Sequence, residues 1–166
     1  MATDEQLQNE FMELVTRCRG SIIRLCLIYT DRQPDNVNDL FQDIVYNLWR
    51  AFPNLRRRDS AHNWVYSVAI RVARMHHRSR RNKPRYVDLD YATLASLIDD
   101  GEDEMLAILY SLIDRLDNDD KTLLFLYIDR VPQKEIAAIY HTSEMSVNHK
   151  INRLKKKLKK MHEDER

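Results

Sequence analysis

Two glycines and four prolines in 166 residues leave little of the turn chemistry that a sheet protein needs. No segment alternates cleanly between apolar and polar at period two, so nothing in the pattern supports strands. No apolar run approaches the ~20 residues of a membrane span. The opening "MATDEQLQNE" is too acidic and polar for a secretory signal. Cysteine is scarce: Cys18 and Cys26 lie eight apart without C-x-x-C spacing, where a buried thiol pair is the plain reading and metal or redox use the remote one. The six histidines form no H-E-x-x-H or other ligand pattern, and neither a Gly-rich phosphate loop nor a nucleophile elbow occurs. The expectation is a protein with no catalytic residue, metal, cofactor or small-molecule substrate, and no membrane insertion.

What remains is helical spacing. A chain 43% hydrophobic and 32% charged has the composition of a folded, soluble protein, and at this length it makes one domain or two small ones. Thr3 and Gln6 have capping-box spacing ahead of Leu7, Phe11, Leu14, Val15 and Cys18. Gly20 reads as a kink or break before Ile22, Ile23, Leu25, Cys26 and Ile28. Pro34 and Asp35 restart the chain. Leu40, Phe41, Ile44, Val45, Leu48 and Trp49 then line one side of a helix, with Asp39, Gln42, Asp43 and Arg50 outward. "FPNLRRR" reads as a loop, Ser60 as the cap of a helix through Trp64, Val68, Val72 and Met75, and Pro84 as its stop. Residues 83–104, with seven acids, read as a linker that holds at most a short helix near Leu94 to Ile98. Met105, Leu106, Ile108, Leu109, Leu112, Ile113 and Leu116 pattern one further helix, and Leu123, Leu124, Leu126, Tyr127 and Ile128 another. The fold class is all-α, two small helical domains over 1–82 and 105–166.

Net charge is only +1, yet it is distributed in blocks. Residues 56–85 hold ten bases against Asp59, residues 86–120 eleven acids against Arg115, and residues 121–166 eleven bases against six acids. Phosphates respond to local potential, so two basic blocks divided by an acidic one argue for a nucleic-acid partner. Either basic block taken alone is also compatible with a solvated helix face.

The second basic block has an internal order. In "SEMSVNHKINRLKKKLKK", Val147, Ile151, Leu154, Leu158 and Met161 form a narrow apolar stripe at steps of four and three. Asn148, His149, Asn152, Lys155, Lys156 and Lys159 project roughly opposite. Ile136, Ile139 and Tyr140 of "QKEIAAIY" offer an apolar face, and Ala137 and Ala138 permit close approach. A short helix, the turn "HTS" and a longer helix with polar residues outward describe a helix-turn-helix, with an ordinary helical hairpin as the plainer alternative. His141 stands where many such turns use glycine.

Three stretches in order resemble the extracytoplasmic-function (ECF), group-four sigma factors of bacterial RNA polymerase, over roughly residues 7–160. "DLFQDIVYNLWRAF" (39–52) is similar to the family's D-L-x-Q-[ED]-x-F-L-x-x-W helix, and "DSAHNWVYSVAIRVAR" (59–74) to its stretch around x-x-W-L-x-x-I-A. "QKEIAAIYHTSEMSVNHKINRLKKKLKK" resembles its promoter-reading helix-turn-helix. Arg71 stands where the family often has asparagine, and Met145-Ser146 replaces a common Gly-Thr. The length leaves no room for the additional domains of the larger housekeeping sigma factors.

The resemblance implies a cytoplasmic, non-enzymatic promoter-specificity subunit that binds core RNA polymerase through its clamp helices and flap. It also implies an anti-sigma factor as a further partner. Asp39, Gln42 and Asp43 would dock on polymerase. Arg56, Arg57, Arg58, His62, Asn63, Arg71, Arg74, Arg78 and Arg81 would meet the −10 element, with His62 and Asn63 reading bases and Trp64 more a core anchor than a stacking surface. Asn148, His149, Asn152 and Arg153 would read the −35 element, where amide and guanidinium groups suit adenine and guanine edges. Lys150, Lys155, Lys156 and Lys159 would clamp phosphates. Leu123, Leu124 and Ile128 would be core, and the acidic linker would mimic RNA in the polymerase channel. A stand-alone helix-turn-helix regulator is the competing reading, and an enzyme the distant third.

Overall fold

The structure, a computed structural model, describes residues 3–56, 61–76 and 104–164, with side chains in the last stretch from residue 108. The chain divides into two compact units, Met1–Leu94 and Ala95–Arg166. The described residues are helical and contain no strand. The expected Ser60 cap, the Pro84 stop and the linker up to residue 103 lie outside them; Glu104 already opens a helix.

The first unit is built on α1 (Asp4–Tyr29), α2 (Pro34–Ala51) and α3 (Ala61–His76), each packed on the other two. The capping box opens α1: Thr3 Oγ1 accepts from the Gln6 amide at 3.3 Å, and Gln6 Oε1 accepts from the Thr3 amide at 3.0 Å. The helix then runs unbroken through Gly20, contrary to the expected break. Glycine costs a helix interior only about 1 kcal/mol. The buried residues on either side, Phe11 to Cys18 and Ile22 to Tyr29, outweigh it. Arg32 closes the helix from a left-handed backbone (φ 64°), its Nη1 donating to the carbonyls of Leu27 and Thr30. Asp31 accepts from the Gln33 amide and the Asn36 side chain, and Pro34 takes the first position of α2.

Leu40, Ile44 and Leu48 form the fully buried row of α2, and each side chain contributes roughly 1.5–3 kcal/mol. Phe41, Val45 and Trp49 flank that row, half-buried. Phe52–Asn54 is a 3-10 turn and not free loop; it carries Phe52 into a cluster with Phe11 (ring centroids 5.2 Å) and Trp64 (6.3 Å). The buried row of α3 is shifted from the expected one. Val65, Ala69, Ala73 and His76 lie inward together with Val68 and Val72, whereas Met75 is 62% exposed. Burial of His76 in this row requires a polar partner, described below.

The second unit comprises α4 (Glu104–Asp114), α5 (Asn118–Ile128), α6 (Gln133–Ile139) and α7 (Glu144–Asp164), and the first three all contact α7. Leu116, expected within α4, is buried just past its end. Asp117 caps α5 by accepting from the Asp120 amide at 2.8 Å. Phe125 belongs to the core of α5, whereas Tyr127 and Ile128 are 44% and 42% exposed, which corrects the assignment of Ile128 to the core. Two Schellman turns shape the rest. Arg130 (φ 58°) ends α5 with Val131 N bonded to Leu126 O, and His141 (φ 52°) ends α6 with Thr142 N bonded to Ala137 O. His141 thus adopts the left-handed conformation that glycine fills in similar turns.

Candidate nucleic-acid and docking surfaces

The α6–α7 pair has the geometry of a helix-turn-helix. Ile136 and Ala137 are buried against Val147, Ile151 and Leu154, with Ile139, Leu158 and Met161 half-buried around them. Ala138, expected at the close approach, is exposed. Ser143 Oγ accepts from the Ser146 amide at the first turn of α7. Asn148, His149, Lys150, Asn152, Arg153, Lys155, Lys156 and Lys159 are all exposed.

Neighbouring side chains sort the lysines. Lys155 Nζ sits 4.7 Å above the Tyr127 ring of α5, and Lys150 Nζ 5.2 Å above the Tyr140 ring. Lys157 Nζ bonds Asp120 Oδ2 at 2.7 Å, and this hydrogen bond raises the lysine above its ordinary pKa. Asn148, His149, Asn152, Arg153, Lys156 and Lys159 occupy the arc opposite the apolar stripe. Exposed Lys160 shares that arc and was missed by sequence reasoning. The signal was available, since Lys160 follows Arg153 and Lys156 by seven and four residues.

On the first unit, Arg56 and Arg71 are exposed and Arg74 is half-buried; Arg57, Arg58, Arg78 and Arg81 lie outside the described residues. Both nitrogens of His62 are occupied within the unit. Nδ1 lies 3.5 Å from Cys18 Sγ on α1 and Nε2 3.2 Å from the Tyr66 hydroxyl, whose ring stands edge-on. Adjacent Asn63 is half-buried, as is Trp64. Cys18 and Cys26 are both buried free thiols, about 12 Å apart along one helix at 1.5 Å per residue, too far for a disulfide with each other. Burial pushes the Cys26 thiol far up, away from thiolate chemistry.

The expected docking face of α2 is only partly outward. Asp39 and Gln42 are half-buried, and Gln42 Nε2 donates to Asn38 Oδ1 at 3.4 Å. Asp43 does not project outward: its side chain is 15% exposed, and Oδ2 lies 3.0 Å from Nδ1 of buried His76. On the line that runs through Asp39 and Gln42, the exposed residues are Tyr46 and Arg50. Tyr46 is 59% exposed, with the Arg50 guanidinium 5.7 Å from its ring centroid. Sequence reasoning passed over Tyr46, although it follows Gln42 by four residues.

The Sigma-70 region 2 family model matches residues 14–83, and the Sigma-70, region 4 model matches residues 106–158. No curated protein matches the chain in sequence. Among solved structures the chain is similar to CnrH, determined in complex with the cytosolic domain of CnrY. The identity is 21%, over 96% of this chain and 91% of that one, with a TM-score of 0.68. No helix among the described residues is long and apolar enough to cross a membrane. With region 2 on the first unit and region 4 on the second, the two models between them covering most of the chain, the protein belongs to the sigma-70 family, as an RNA polymerase sigma factor of the two-region ECF type.

Proposed function

We propose that this sigma factor reads the −35 element with α7 and the −10 element with α3 and the segment before it, opening the duplex without a reaction of its own. The observation that carries the reading is the outward arc of α7, where Asn148, His149, Asn152 and Arg153 stand among Lys156, Lys159 and Lys160 with the apolar stripe buried behind them. Amide and guanidinium groups supply bidentate donors and acceptors for base edges, and the lysines supply charge for phosphates. Arg56, Arg71 and Arg74, with Arg57, Arg58, Arg78 and Arg81 from the same basic block, serve the −10 backbone, and Asn63 is the base reader beside His62. The α2 line from Asp39 to Arg50 docks on polymerase. The acidic linker over 83–104 separates domains 1–82 and 105–166 and acts as a polyanion in the RNA channel. A cytoplasmic location and an anti-sigma partner complete the proposal; the likeness to CnrH, solved with the cytosolic domain of CnrY, supports such a partner.

Run-off transcription by core polymerase with this chain over a randomised promoter library tests the assignment. The expected result is selection of paired −35 and −10 elements that depends on polymerase. Tight sequence-specific duplex binding that is unchanged by polymerase overturns the assignment of the two elements to α7 and α3.

A further inference from the structure

Histidines tie α3 to both of its neighbours. Near its start, His62 meets Cys18 of α1. Further along, at the last described residue of α3, His76 is 8% exposed and its Nδ1 lies 3.0 Å from Asp43 Oδ2 of α2. Facing a carboxylate oxygen that only accepts, Nδ1 carries the hydrogen. His76 continues the inward row of Val65, Ala69 and Ala73, where an apolar side chain would bury without the desolvation cost of an imidazole. A polar group at such a position adds direction, because a hydrogen bond weakens steeply with misalignment whereas apolar faces tolerate sliding.

The two helices joined this way have different tasks in the reading given above, on which this inference rests. The outer line of α2 meets polymerase, and α3 presents exposed Arg71 to promoter DNA. Asp43, one residue from Gln42, is only 15% exposed, with Oδ2 against His76. We propose that His76 is a positioning residue that couples these two surfaces. Through Asp43 it sets the register of α3 against α2, so that the DNA-facing side of α3 is correctly placed once α2 is docked. Its loss therefore impairs promoter opening more than polymerase binding.

The test compares His76→Asn, whose amide nitrogen stands near the Nδ1 position, with His76→Gln, whose amide stands near the Nε2 position. Both are polar and of similar bulk, so a general intolerance of substitution affects them alike. Holoenzymes of the full chain with core RNA polymerase are titrated for affinity. They are then assayed at saturation for permanganate-detected opening on duplex promoters and for run-off transcription on promoters pre-melted over the −10 region. The expected result is that both variants bind polymerase nearly as the wild type does. His76→Asn should open duplex promoters close to the wild-type level and His76→Gln about tenfold less, the scale of one buried hydrogen bond, with recovery on pre-melted templates. Equal opening by the two variants overturns the proposal, as does a defect that appears equally in polymerase affinity. A wild-type chain that neither binds polymerase nor opens a promoter overturns the reading of α2 and α3 itself, a separate outcome.

Discussion

Lysines that look alike on α7 should behave differently when removed. Lys155 Nζ stacks on the Tyr127 ring of α5 at 4.7 Å, whereas Lys156, the next residue, sits in the middle of the outward arc. A lysine that neutralises a phosphate contributes about −0.9 to the slope of log K against log salt. Raising salt from about 50 to about 200 mM should therefore weaken the wild type about 3.5-fold more than Lys156→Ala, because the variant has one fewer counterion to release. Lys155→Ala should leave that slope nearly unchanged. Its cost is the cation–π contact with a ring that is 44% exposed, about 0.5–1 kcal/mol. In a unit of this size that corresponds to a melting shift of roughly 2–8 °C. The assay is fluorescence anisotropy of holoenzyme on a labelled promoter across the salt range, with thermal melts of each variant. A Lys155→Ala slope as shallow as that of Lys156→Ala, with an unchanged melt, would refute the division of this run into packing and DNA-facing lysines.

Three further outcomes follow from the same geometry. Alanine at Asn152 or Arg153 should relax preference at particular −35 positions by about 1–3 kcal/mol per lost bidentate contact, read by selection from a randomised −35 library; uniform weakening across the library would make α7 a grip and not a reader. Gly20→Ala should raise stability in thermal melts by about 0.5–1 kcal/mol, since α1 is continuous there and the new Cβ meets only the flexible tip of Arg24 at 3.4 Å; a destabilised variant would contradict the unbroken helix. His62→Ala, which loses contacts to Cys18 and Tyr66, should cost about 1 kcal/mol, while Asn63→Ala melts as the wild type and loses −10 opening by permanganate footprinting. Normal opening in Asn63→Ala removes that residue from base reading.

Particular residues mark where reasoning from sequence reached its limit. The Thr3–Gln6 cap, the α6–α7 pair and the α7 stripe were legible because they depend on residues three or four apart in the chain. Gly20 misled because a local propensity of about 1 kcal/mol was weighed without the buried residues that flank it. Met75 misled for a related reason: the inward row of α3 takes in a histidine, which no hydropathy pattern places inside. The outer face of α2 was half legible. Its arc was located, but Tyr46 was passed over and Asp43 was placed outward.

Sequence by itself determined that this chain is helical, that its basic charge lies in two blocks, and that its family motifs stand in region 2 and region 4 order. Those properties reside in composition and short-range periodicity, and any fold of the chain must respect them. Tertiary structure decided which polar groups are engaged by partners far away in the chain. Asp43 is held by His76 across 33 residues, His62 meets Cys18 across 44, and Lys157 reaches Asp120 across 37. Periodicity places a side chain on an arc of its own helix, but only the packing of one helix on another determines whether that arc meets water, a ring or a carboxylate.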